Sequence, residues 1–253
     1  MLKYLSEQCK RFAELAKIDG FWATLFKAIK LLIKRVAKRF YNIYLTLRGR
    51  FSDDVIRDPL QVIMVPTEKI EYKLQTPPER KGEARFRLNR FGLRFAGLIW
   101  SGDWDKKGEK FTNLLVYKAF YERFVEKKEW DQTEYYNLFQ SRKKIRGCDS
   151  WTQFKTRHLE KWDKLYETIK TNGYVDHAKR GKPPTDEIEV AVARDGEILF
   201  VDGRHRLATA KILNLPEVPV IVNIWHKDFI EYVKKETGDK KITPAVAMRY
   251  AKL

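Results

Sequence analysis

The sequence predicts an α+β fold: a mixed body with a small, partly parallel sheet, preceded by a basic helical extension. Three patterns support this prediction: a strand hairpin closed by an Asp-Gly turn, a strand–turn–helix unit directly after it, and several segments of helical periodicity. The 253 residues, 43% of them hydrophobic, are enough for one large or two small domains with a true core. Disorder over most of the chain is therefore excluded.

Residues 1–50 are expected to form a basic amphipathic helical extension. They carry 12 Lys and Arg against 3 Asp and Glu, so a net +9 of the total +17 falls in this part. From residue 21 to 47, apolar residues recur at helical spacing and Lys or Arg fill the other positions. Three interpretations are open: the apolar stripe packs on the domain, it lies on an anionic membrane surface, or the helix contacts nucleic acid or a partner helix.

The sequence also narrows the cellular compartment in which the protein is expected. Cys9 and Cys148 suit neither a disulfide framework nor a cysteine-rich zinc site, and the four histidines lack HExxH spacing. The start of the chain has no signal-peptide pattern, and no uncharged run approaches the roughly 20 residues of a spanning helix. We expect a cytoplasmic protein, with a peripheral position on the inner face of the membrane as a further option.

The remaining chain divides into a domain at 58–225 and a C-terminal helical tail at 226–253. Strands are predicted at 60–65 and 95–100, with a helical turn at 67–70. Helical periodicity at 114–126, 134–144 and 152–171 indicates a helical insertion in the domain at about 111–171, closed by Gly173.

The loop that follows the 95–100 strand is a candidate metal or substrate site. It places Asp103 and Asp105 on either side of Trp104, between two glycines. Carboxylate oxygens at this spacing could hold a divalent cation such as Mg²⁺ or act as a base. The alternative is an ordinary turn, since Gly and Asp favour turns whatever the chemistry.

The region from residue 187 to 223 is the most informative. A strand at 188–192, an Asp-Gly turn and a return strand at 198–201 form a hairpin. The segment Asp202-Gly203-Arg204-His205-Arg206 then leads into a helix at 207–213 and a strand at 218–222. A strand, a glycine turn and a helix start direct backbone N–H groups at an anion, and arginine pairs well with phosphate. We therefore predict a phosphate site at Gly203, Arg204, His205 and Arg206; the alternative is a tight turn with solvated arginines.

At these residues the sequence resembles the ParB/sulfiredoxin-like superfamily. The resemblance covers about residues 186–223, and 60–70 match the family's opening strand and turn. It implies that the segment from Asp202 to Ala208 binds nucleotide phosphates at a helix start. Members include nucleotide-hydrolysing DNA-partitioning proteins, an ATP-dependent sulfinic acid reductase, a free-serine kinase and domains labelled as nucleases.

Departures from these members narrow the implied function. Arg204 stands where sulfiredoxins carry their reactive cysteine, so sulfinic acid reduction is not expected. The short segment after Val222 leaves little room for the DNA-reading helices of partitioning proteins.

The sequence thus favours a nucleotide-dependent phosphotransferase or hydrolase that uses ATP, ADP or CTP with Mg²⁺. In this interpretation Asp103 and Asp105 serve as metal ligands or base, and Asp202 or His205 orients the substrate. Two alternatives remain: a basic DNA- or RNA-binding protein or nuclease, and a membrane-surface scaffold.

Overall fold

The computed structural model of the protein describes residues 21–75, 96–142, 145–175 and 187–252. Within these ranges seven strands form one sheet: β1 (Ile63–Pro66), β2 (Tyr72–Leu74), β3 (Leu98–Trp100), β4 (Lys107–Lys110), β5 (Ile188–Val192), β6 (Ile198–Asp202) and β7 (Glu217–His226). The same ranges contain the α-helices α1 (Phe21–Phe51), α2 (Leu115–Phe124), α3 (Glu134–Gln140), α4 (Trp151–Phe154), α5 (Glu160–Asn172), α6 (Arg204–Ile212), α7 (Lys227–Thr237) and α8 (Pro244–Met248). A π-helical turn, Lys155–Leu159, joins α4 to α5.

The sheet is mixed, as the sequence predicts. Its order is β1-β7-β5-β6-β2-β4, and β3 pairs with the far end of the long strand β7 on the same side as β1. The pairs β5–β7, β3–β7 and β2–β6 are parallel, and the other three are antiparallel. The fold is therefore α+β with a seven-stranded sheet in the described ranges. Two strands, β2 and the edge strand β4, lie where the sequence predicts none.

The central strands are buried on both faces. Every residue of β5, and every residue of β7 after Glu217, is buried. Such continuous apolar strands are typical of a sheet covered on both sides. On one face Ile188, Val190 and Val192 pack with α6 and the helical insertion, which supplies the aromatic side chains Phe120, Trp130, Tyr135, Phe154 and Trp162 to the main core.

The C-terminal helices belong to this same core. Phe229 and Ile230 of α7 and Met248 of α8 are buried in it. Their helices begin at good caps: His226 accepts from the N–H of Asp228, and Thr243 accepts from the N–H of Val246, with Pro244 in the first turn. The segment predicted as a separate tail at 226–253 is thus packed into the domain over its described residues.

Several predicted boundaries shift in the structure. Helix α6 begins at Arg204, three residues earlier than the sequence suggests, so the basic residues after Gly203 form its first turn. The predicted helix at 152–171 is interrupted by the π-helical turn. Residues 1–20 of the predicted extension lie outside the described ranges, and its helix continues to Phe51.

Candidate functional site

The start of α6 is an uncapped helix N terminus. Gly203 precedes it with φ of 93°, a left-handed conformation that favours glycine, and a Cβ there would come within 3.0 Å of Ile188 Cα. Hydrogen bonding within the helix begins at Arg206 N–H, which donates to the Gly203 carbonyl. The N–H groups of Arg204 and His205 therefore have no acceptor inside the helix, and no described side chain caps it.

A cavity of about 590 Å³ opens beside this helix start. It lies between the sheet edge and the helical insertion, and its volume is within the range typical of small-molecule sites. Its wall is formed by Lys73, Glu109, Leu114, Leu115, Val116, Tyr135, Leu138, Arg142, Ile145, Arg146, Phe200, Val201, Asp202 and Arg204. The corner around Gly203 is therefore open to a ligand.

Positive charge dominates the polar part of this wall. Three arginines, at 142, 146 and 204, and Lys73 face two carboxylates, Glu109 and Asp202. Burial, followed by the positive charge of Arg204, lowers the pKa of Arg146 from its usual value. The guanidinium group of Arg146 also lies 5.7 Å from the ring centroid of Trp162. Two cations are thus close enough to destabilise each other at the positive end of a helix dipole.

Tyr135 adds a buried hydroxyl to the wall. Burial raises its pKa to about 12, although Arg204 and Arg146 act in the opposite direction. The phenol is therefore a neutral group at physiological pH, and it can donate a hydrogen bond to a ligand oxygen.

Asp202 and Arg206 hold the turn on either side of Gly203. The Asp202 carboxylate accepts the Gly203 N–H at 2.7 Å. Arg206 Nη2 donates to the Glu187 carbonyl at 3.1 Å, and its Nη1 lies 3.6 Å from the buried Glu187 carboxylate. Arg206, which the sequence places in the phosphate site, does not line the cavity and instead ties α6 to the start of β5.

His205 also lies away from the cavity. Its ring stacks on Trp162 with centroids 4.3 Å apart and lies 5.8 Å from the ring of Phe120. Burial, then the charges of Arg204 and Arg146, lowers its pKa to about 3. Its Nε2 atom is buried and has no hydrogen-bond partner among the described residues. A neutral imidazole inside an aromatic cluster is a packing group, which corrects the predicted substrate-orienting and phosphate-binding roles of His205.

Asp103 and Asp105 lie at the opposite end of the β5–β6 hairpin. Arg194, in the hairpin turn, donates to Asp103 at 2.6 Å and to both oxygens of Asp105 at 2.9 Å. Burial alone would raise the pKa of Asp105, but the hydrogen bonds from Arg194 outweigh it and lower the pKa to about 2. The guanidinium group occupies the position that a cation would take between the two carboxylates.

These two aspartates cannot act on a ligand held at Gly203. The five residues of β6 separate the hairpin turn from Gly203, a distance of about 16 Å at the rise of a strand. Trp104, which lies between the two aspartates, is buried: it stacks on His226 at 5.6 Å and donates to the Trp100 carbonyl. The loop is thus a packed corner, and the predicted joint site of Asp103, Asp105 and Gly203 is not formed.

The carboxylates that do line the cavity are Glu109 and Asp202. In residues 21–75, 96–142, 145–175 and 187–252, no three His, Cys, Asp or Glu side chains form a group suited to a metal ion. Mg²⁺ commonly uses only one or two carboxylates together with substrate phosphates and water, so this pair fits the chemistry of such an ion.

The residues predicted from the sequence do not include Lys73, Glu109, Tyr135, Arg142 or Arg146. The basic run from 142 to 146 was a visible signal, but nothing in it specified which element it would face. Comparison of the chain with protein-family models, curated proteins and solved structures found no match.

Proposed function

We propose that the cavity at the start of α6 binds a phosphate-bearing ligand, with a nucleotide as the ligand class. The observation that carries the proposal is the presence of Arg146 and Arg204 in one cavity wall, beside an uncapped helix N terminus. Two neighbouring guanidinium groups destabilise the empty cavity, and an anion between them would remove that repulsion. Free backbone N–H groups at the helix start add donors for phosphate oxygens.

The shape of the site favours a small molecule over a nucleic-acid strand. The basic groups line a concave cavity rather than an exposed ridge, and apolar side chains such as Leu114 and Val116 share its wall. Phosphate groups would lie against the arginines, and the apolar wall would contact a base or sugar. A nucleic acid is the second candidate ligand, and the binding experiments distinguish it from a nucleotide.

The proposal also includes the assignment of the α+β fold to a particular superfamily. The motif from Asp202 to Ala208 resembles the ParB/sulfiredoxin-like superfamily, and its strand, left-handed glycine and helix follow one another in the structure. A reaction of phosphoryl transfer or nucleotide hydrolysis is consistent with this site, because such reactions depend mainly on positioning and charge neutralisation. Asp202 and Glu109 replace Asp103 and Asp105 as the candidate Mg²⁺ ligands, and the ion would neutralise phosphate charge.

The direct test is a binding panel on the full chain. Thermal unfolding and calorimetry with ATP, ADP, CTP and inorganic phosphate, each with and without Mg²⁺, should identify at least one nucleotide that stabilises the protein. A ligand at 100 times its Kd adds about 2.7 kcal/mol to the free energy of unfolding. A panel in which no nucleotide binds would reject the proposal.

Two variants locate the site. Arg204→Ala and Arg146→Ala should each weaken nucleotide binding about 10- to 100-fold, since a hydrogen bond between charged groups contributes about 1.5–3 kcal/mol. Arg249→Ala, which changes an exposed arginine directly after α8, is the matched control and should leave the affinity unchanged. If a single-stranded oligonucleotide binds instead, with a steep loss of affinity in salt, the nucleic-acid alternative replaces the nucleotide.

A further inference from the structure

The long helix α1 exposes its apolar face to solvent. Its large hydrophobic side chains with more than two fifths of their surface exposed are Phe21, Trp22, Phe26, Ile29, Leu32, Ile33, Val36, Phe40, Ile43, Tyr44, Leu47 and Phe51. Trp22 is 70% exposed and Phe40 is 68% exposed. At 100° per residue these positions fall within a sector of about 140°, along a helix about 46 Å long. We call this surface the α1 apolar face.

A different face attaches α1 to the domain. Near the C-terminal end, Leu45 is buried against Ala96 and Ile221, and Tyr41 packs beside them. Gly49 lies so close to the next segment that a Cβ would come within 2.5 Å of the Ile56 carbonyl oxygen. Leu45 and Leu47 are about 200° apart around the helix. The contact with the domain therefore directs the α1 apolar face away from it, which rejects the interpretation that the apolar stripe packs on the domain.

The charge of α1 has a single sign. Between residues 21 and 51 the chain has eight Lys and Arg residues and no Asp or Glu. Lys30 is exposed about 40° beyond one margin of the apolar sector, Arg39 is exposed at the other margin, and Arg50 is exposed about 20° inside that second margin. An apolar sector bordered by cations is complementary to a surface that is apolar inside and anionic at its rim.

The charge pattern of α1 distinguishes three surfaces that could cover its apolar face: a second copy of the chain, a nucleic acid and a lipid bilayer. A second copy pairing through the same face would bring Lys and Arg of one helix against those of the other, without acidic partners. A nucleic acid would neutralise the cations but leave the aromatic and aliphatic side chains in water. An anionic bilayer satisfies both, because its headgroups meet the cations and its acyl boundary takes the apolar side chains.

We infer that α1 docks the protein on an anionic lipid bilayer, lying in the interface with its apolar face inserted. None of the described helices is long and apolar enough to span a membrane, so the helix lies on the surface. Because the contacts of α1 with the domain lie in its last turns among the described residues, the domain is held beside the bilayer with α6 and its cavity outside the lipid.

The test is co-sedimentation of the full chain with vesicles. Phosphatidylcholine vesicles containing phosphatidylglycerol should bind the protein, and vesicles of phosphatidylcholine alone should bind it at least tenfold more weakly, since each basic residue near an anionic surface contributes about 1 kcal/mol. Added salt should weaken binding to the anionic vesicles. Equal binding to both vesicle types, or to neither, would overturn the inference.

The double variant Ile33→Glu with Phe40→Glu tests the α1 apolar face. It should reduce vesicle partitioning at least about 100-fold, because two apolar side chains lose their burial. The matched control is Met64→Glu with Val125→Glu, which changes two apolar residues on the domain that are 45% and 44% exposed, and it should bind like the native chain. Circular dichroism should show equal helicity in all three proteins, and equal loss of binding in the control would overturn the inference.

Trp22 reports on insertion. It is the one tryptophan of the chain with an exposed side chain, so its fluorescence should shift to the blue on anionic vesicles. Trp22→Phe should bind as well and lose the shift. Light scattering tests whether a second copy of the chain covers the α1 apolar face instead. A native dimer that does not bind vesicles, and that becomes monomeric in the Ile33→Glu, Phe40→Glu variant, would overturn the inference in favour of that second copy.

Discussion

The two ends of the β5–β6 hairpin use similar residues and differ in how their charges are balanced. At one end, Arg194 in the turn is paired with Asp103 and Asp105. At the other, Arg204 follows Gly203 and shares a cavity wall with Arg146, and the two cations destabilise each other. One corner is electrostatically complete without a ligand, and the other carries an excess of positive charge.

This difference shows why residue types alone do not identify a site. Two carboxylates one residue apart in a glycine-containing loop suggest a metal site in a sequence, but a guanidinium group 2.6 Å away already satisfies them. Charged groups that lack a counter-charge at a cavity are the better indicator of a ligand site. They lower the stability of the fold, so a ligand that neutralises them gives a reason for their presence.

Acid should destabilise the cavity corner through His205. Its folded pKa of about 3 lies below the usual 6.5. The unfolded chain therefore binds more protons between these values, and stability is lost as the pH falls from about 6.5 to about 3, by about 3–5 kcal/mol. Urea unfolding across this range should show the slope, and His205→Phe should flatten it. An unchanged slope in the variant would assign the acid sensitivity to other groups.

Alanine at the two turn glycines should have unequal effects. Gly203 and Gly102 have nearly the same φ, 93° and 95°, but only Gly203 has neighbours that an added Cβ would contact. We expect Gly203→Ala to lower the free energy of unfolding by about 2–4 kcal/mol and Gly102→Ala by about 1 kcal/mol. Denaturant unfolding of both variants measures the difference. Equal losses in the free energy of unfolding would contradict the prediction, because they would show that backbone strain accounts for both effects without any contact of the added Cβ.

Removing Arg194 should destabilise the paired corner. Arg194→Met keeps most of the side-chain length but removes the guanidinium donors of Asp105, while the backbone N–H of residue 194 still donates to that carboxylate. We expect a loss of stability at neutral pH that is smaller than the loss in Gly203→Ala, because the solvent exposure of Arg194 screens the interaction. The lowered pKa of Asp105 contributes stability above its usual value of 3.8 that is lost as the pH falls to about 2. The variant should show a weaker acid dependence, because the guanidinium donors are lost and the backbone donor remains, and an undiminished acid dependence would contradict the assignment.

The same substitution at Arg204 should have the smallest effect on stability. Because the charges of Arg204 and Arg146 repel each other, Arg204→Met is expected to stay within about 0.5 kcal/mol of the native free energy of unfolding without ligand. It should nevertheless lose the stabilisation that a nucleotide gives the native chain. Strong destabilisation by Arg204→Met would show that this corner is as complete as the other.

Much of the local structure around the candidate site could be predicted. The Asp-Gly turn, the hairpin and the helix after Gly203 depend on turn chemistry and short-range periodicity, and the structure contains all three. The prediction assigned the phosphate site to consecutive residues, but on a helix consecutive side chains point about 100° apart, so Arg204 lines the cavity and His205 and Arg206 do not.

The other half of the cavity could not be predicted in this way. Arg142 and Arg146 follow a short helix of the insertion, and their approach to Arg204 depends on how the aromatic cluster around Trp162 packs. The pairing of Asp105 with Arg194 joins residues 89 positions apart, a separation at which sequence patterns carry no geometric information.

The sequence by itself determined the periodic elements, the single-sign charge of α1 and the glycine turn that begins α6, because these properties arise among residues a few positions apart. Only the tertiary structure decided which charges are neutralised and which face of α1 meets the domain. Those outcomes depend on contacts between distant segments, where burial and close packing select one arrangement among several that the local patterns allow.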